Sequence, residues 1–172
     1  MAITREHIEN AYNTVLAELV KIAAIREWKV APKGLGYTNH KSKYGLATSE
    51  GEVLINEAFR GTTAYKKLDH VLRHEFAHLA VGLDKHHNRY FRRVERMFGV
   101  DLSLDLAAEQ NQVIAQTNPS YQLIAHLQNG KEVDLGVAHR RTKKYTEYSQ
   151  DQKRFMSIHG VRIQSFEYRA VK

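Results

Sequence analysis

Apolar residues recur at steps of three and four from the start of the chain. Ile8, Tyr12, Val15, Leu19 and Ala23 fall on one face, which predicts an amphipathic helix over residues 4–27 with Thr4 as its N-cap. Ala31-Pro32-Lys33-Gly34 breaks it. Short strand-like runs follow at Leu35–Thr38, Tyr44–Ala47 and Glu52–Ile55, the last preceded by a Ser49-Glu50-Gly51 turn. Helical spacing returns with Leu68, Val71, Leu72, Phe76 and Leu79, predicting a helix over 64–81 that Gly82 closes. Phe91, Val94 and Phe98 predict a third helix from about Asn88 to Phe98, ended by Gly99, and residues 102–116 read as helical too. After Asn118-Pro119 the pattern becomes that of strands. Tyr121–Leu127 and Lys131–Val137 flank Gln128-Asn129-Gly130, and Asn-Gly between strand-like runs is a hairpin signal. Arg162 to Val171 offers another strand. The expected class is α+β, with a first domain over 1–119 and a small β-rich module over 120–172.

Composition narrows the chemistry. The chain has 172 residues and 0 cysteines, which excludes disulfides, thiolate metal ligands and cysteine nucleophiles together. No apolar run is long enough to span a membrane, and the polar start lacks a signal-peptide core, so a cytoplasmic protein without a membrane partner is expected. The net charge is +7, and it is uneven. Residues 1–119 hold 16 basic and 14 acidic side chains, whereas residues 120–172 hold 10 and 5. A basic module suggests a polyanionic partner such as DNA. Arg140, Arg141, Lys143 and Lys144, with Tyr145 and Tyr148 nearby, are the candidate contacts to phosphates and bases.

The sharpest chemical signal is His74-Glu75-Phe76-Ala77-His78 in the middle of the second helix. Residues four apart share a helix face, so both imidazoles can reach one zinc ion. Glu75, one step round, can stand beside the metal and take a proton from water. A catalytic zinc takes three protein ligands as a rule. Gly82 lets the chain turn back, and His86 and His87 follow directly as candidates for the third.

These features in order resemble the SprT-like zinc metallopeptidases, which include bacterial SprT proteins and the DNA–protein crosslink protease Spartan. The resemblance covers roughly residues 5 to 110. It rests on Tyr44-Gly45, on Gly51-Glu52-Val53-Leu54-Ile55-Asn56, on Leu72-Arg73-His74-Glu75-Phe76-Ala77-His78 and on His87-Asn88-Arg89-Tyr90-Phe91. Asn88 stands where the family carries glycine. The resemblance implies a zincin-like domain in which His74, His78 and His87 bind one Zn2+ and Glu75 is the general base. It also implies that strand 52–55 is the sheet edge on which a substrate peptide adds. Many relatives end in a cysteine zinc ribbon, so residues 120–172 read as a ribbon-like module without its metal.

The expected function is a zinc-dependent endopeptidase acting on proteins, including DNA-associated or DNA-crosslinked ones, as a monomer. The rival expectation is a DNA-binding protein with a structural or regulatory metal site and no useful peptidase activity.

Overall fold

The computed structural model describes residues 1–151 and 155–171. The chain divides into two compact units, Met1–Val113 and Ile114–Lys172. This division falls in the last turn of a helix, short of the Asn118-Pro119 site. Val113 is buried in the core of the first unit, whereas the Thr117 hydroxyl donates to Ile114 O and meets His139 Nε2, both at 2.6 Å.

In the first unit, α1 spans Arg5–Ile22, and Thr4 and His7 close a reciprocal capping box at its start. Ile8, Tyr12, Val15 and Leu19 are its buried stripe, and each such side chain contributes about 1.5–3 kcal/mol. The helix ends earlier than the apolar pattern suggests. The indole of Trp28 donates to Ala23 O, and a 3-10 turn at Ile25–Glu27 folds that buried ring back onto the core, against Phe76 and Phe98.

Three strands follow: β1 (Gly34–Thr38), β2 (Gly45–Ala47) and β3 (Glu52–Asn56). Their order is β1-β3-β2, with β1 parallel and β2 antiparallel to β3. The strand at 52–55 is therefore central. The resemblance made it the substrate edge, and the sheet order corrects that: Val53 and Ile55 are buried core residues, and β3 is paired on both sides. The edge on that side is β2. Tyr44 pairs with Asn56 and Thr48 with Glu52 through backbone bonds, so the alternating ladder turns the N–H and C=O groups of Gly45 and Ala47 away from β3.

Helix α2 (Tyr65–Val81) packs across the sheet and stops at Gly82, whose φ of 99° suits glycine. His86 also has positive φ, 47°, in the turn that brings the chain back. Asn88 then caps α3 (Arg89–Met97), its side chain accepting from the Phe91 N–H at 2.9 Å. Asn88 thus starts the helix where the family has glycine. The next helix, α4 (Ala107–Ala115), begins later than the sequence suggests, because Asp101 and Asp105 bond forward to Ser103 and Ala107 and hold the preceding residues in turns.

The second unit is a four-stranded antiparallel sheet of order β5-β4-β7-β6, from β4 (Tyr121–Leu127), β5 (Glu132–Ala138), β6 (Ser157–Ile158) and β7 (Val161–Ala170). The Asn129-Gly130 turn joins β4 to β5 as expected, with Gly130 at φ 79°. A one-turn helix, α5 (Lys143–Thr146), lies between β5 and β6. Ala125, Leu127 and Ile163 form its small core. The whole is a mixed α+β chain. Among the described residues no helix is long and apolar enough to cross a membrane.

Candidate metal centre

His74 and His78 stand one turn apart on α2, and the Gly82–His87 turn returns a third imidazole to them. His87 Nε2 lies 3.2 Å from His74 Nε2 and 3.2 Å from His78 Nε2. Three nitrogens on a tetrahedral zinc at 2.0–2.1 Å sit about 3.3 Å apart, so this spacing fits a ligand set. His86 lines the same cleft but is not a member of the converging set. The buried ring of Phe91 lies 4.3 to 5.1 Å from all three imidazoles and fixes them from below.

The protonation states suit a cation. Burial lowers the His74 pKa, more than neighbouring Glu95 raises it. His78 is pushed down to about 4 by burial and by the adjacent His74 and His87. His74 Nδ1 lies 2.6 Å from Glu95 Oε1, so its proton points at that carboxylate and Nε2 offers a lone pair. His78 Nδ1 is buried with no hydrogen-bond partner among the described residues. The donor set, its spacing and the His74 tautomer fit zinc.

Glu95 was not singled out by sequence. It is 1% exposed on α3, and Arg92 holds its other oxygen at 2.9 Å. Burial would raise its pKa, but the hydrogen bonds to His74 and Arg92 prevail and hold it below the usual carboxylate range. The signal was present: a charge between Phe91 and Phe98 on an apolar stripe needs a buried partner. Glu95→Gln is expected to weaken zinc binding roughly 10–100-fold without unfolding α3, checked by competition with a chromophoric chelator. Unchanged affinity would remove Glu95 from the site.

Glu75 is 7% exposed, and its Oε2 accepts from the Ala47 N–H on β2 at 3.0 Å. Burial pushes its pKa up to about 7 against the pull of that bond and of Lys43. β2 approaches closely here: a Cβ on Gly45 would come within 2.7 Å of Val71 Cγ1 and 3.0 Å of Glu75 Cγ, so only glycine fits. The four residues open on a cleft of about 570 Å³ between β2 and α2.

The basic candidates belong to the second unit. Arg140 and Arg141 follow β5, and Lys143 and Lys144 are on α5; all four are exposed. Arg141 sits over the Tyr121 ring at 5.1 Å and Lys144 over the Tyr145 ring at 4.9 Å. Lys143 reaches Glu147 at 3.8 Å. A second group, His126, Glu132 and Glu167, also comes together in this unit, but Arg169 bridges both carboxylates at 2.9 Å and supplies their counter-charge. No protein-family model, curated protein or solved structure matches the chain.

Proposed function

We propose that the chain is a zinc-dependent endopeptidase of the zincin type, with the SprT-like resemblance pointing the same way. The observation that carries this reading is the convergence of His74, His78 and His87 over Phe91, with a buried carboxyl at Glu75 beside them. A structural metal site has no use for Glu75. Zinc held there supplies Lewis acidity, making water acidic near neutral pH and polarising a carbonyl.

The chain's own residues do the rest. Glu75, with its pKa near 7, takes a proton from water at neutral pH and gives it to the leaving amine. The Ala47 N–H keeps that carboxylate turned into the cleft. Glu95 orients His74. β2, the sheet edge that lines the cleft, binds an extended peptide as a further strand, which gives affinity with little demand on sequence. The test is hydrolysis of an unstructured polypeptide. Cleavage that a chelator stops and zinc restores supports the reading; none at any zinc level refutes it.

The second reading, a DNA partner for residues 114–172, is favoured by the cation–aromatic pairs Arg141–Tyr121 and Lys144–Tyr145. Four phosphate contacts on single-stranded DNA give a log–log salt slope of about −3. Replacing Arg140, Arg141, Lys143 and Lys144 together by Gln is expected to flatten it in a fluorescence titration. Salt-independent binding would contradict phosphate contacts.

A further inference from the structure

Lys67 lies two turns before His74 on α2 and is only 6% exposed. Its ammonium sits 4.4 Å from the centre of the Tyr44 ring, and both residues line the cleft. Among the described residues no carboxylate comes within ion-pair distance of it. Glu109 is near, but its Oε2 accepts from the Lys67 backbone N–H at 2.7 Å, not from the ammonium. Burial lowers the Lys67 pKa with no acid to offset it. Lys43 also lines the cleft, and so does His70, whose Nδ1 is buried with no hydrogen-bond partner among the described residues. The cleft lining thus holds two ammonium groups, one of them buried, and an orphaned imidazole nitrogen.

A buried cation without a counter-charge is costly, and a carboxylate that arrives beside it gains most where water is excluded. We infer that Lys67, with Lys43 at the rim and the Tyr44 ring as a wall, forms a subsite for an acidic side chain of the substrate peptide. This rests on the peptidase reading. A peptide pairing antiparallel to β2, the more stable pairing, runs from Ala47 toward Gly45 and Tyr44. Gly45 and Ala47 face Glu75, whereas Tyr44 faces Lys67, so the acidic residue falls within two positions after the cleaved bond.

The experiment uses two fluorescent peptides, repeats of Ala-Gly-Glu and of Ala-Gly-Gln, which present the test residue in any register. Binding is measured on the zinc-loaded Glu75→Gln chain, alone and combined with Lys67→Met, Lys43→Gln or Lys66→Met. The Glu repeat is expected to bind about tenfold tighter than the Gln repeat. Lys67→Met brings the ratio near one, and Lys43→Gln reduces it. Lys66→Met, at an exposed neighbour outside the cleft lining, preserves it. A ratio near one before Lys67 is changed, or a ratio that survives Lys67→Met, overturns the subsite. If Lys67→Met does not fold, a ratio untouched by Lys43→Gln overturns it. Cleavage of both repeats by the chain with Glu75 intact separates the two ideas. A binding preference without cleavage keeps the subsite and refutes the peptidase; cleavage indifferent to acid does the reverse.

Discussion

Zinc-loaded Glu75→Gln protein is expected to keep its metal and to lose cleavage by roughly 10²–10⁴-fold in kcat, the contribution of a positioned general base. The substitution is well suited to the site. Gln has the same length, and its side-chain oxygen still accepts from the Ala47 N–H, so the contact between α2 and β2 survives. It replaces a buried carboxyl whose pKa is already raised to about 7, so no stability is lost to an unpaired charge. It touches none of the three imidazoles. Only the proton transfer goes. The variant is compared with wild type by single-turnover hydrolysis at equal zinc content. Cleavage at the wild-type rate would show that Glu75 takes no part and that the catalytic reading is wrong.

His78→Ala is the second large effect. Its imidazole is one of three, and the remaining two cannot enclose a cation against Phe91. Zinc sites bound by four ligands are worth about 10–16 kcal/mol, so losing one ligand costs about 3 kcal/mol or more, a factor of at least ~100 in affinity. Zinc should therefore raise the thermal midpoint of the wild type and leave that of His78→Ala nearly unchanged, because ligand binding stabilises only the state that binds. His86→Ala, at the neighbour outside the converging set, should retain the zinc response. If His78→Ala is stabilised by zinc as much as wild type, the three-histidine set is wrong.

Much of this was legible in the chain because it is local. The steps of three and four around Leu68–Leu79 and Phe91–Phe98 place α2 and α3, and Asn129-Gly130 places the β4–β5 turn. His74, Glu75 and His78 share a helix, so their spacing alone brings them together. What the sequence hid is what depends on long-range pairing. Nothing local distinguishes β2 from β3 as the sheet edge, since strand order is set by which chains meet. Glu95 pairs with His74 across 21 positions, and Lys67 meets Tyr44 across the cleft. The end of α1 and the start of α4 were masked by side chains, Trp28, Asp101 and Asp105, that bond to nearby backbone and override helical periodicity.

Everything proposed for the cleft depends on His74, His78 and His87 holding one zinc ion. The most direct measurement is elemental analysis of untagged protein after zinc loading and desalting, on wild type and on His87→Ala. The expected result is about one zinc per wild-type chain and clearly less in the variant. No retained zinc in the wild type, or equal zinc in both, would rule out the three-histidine site.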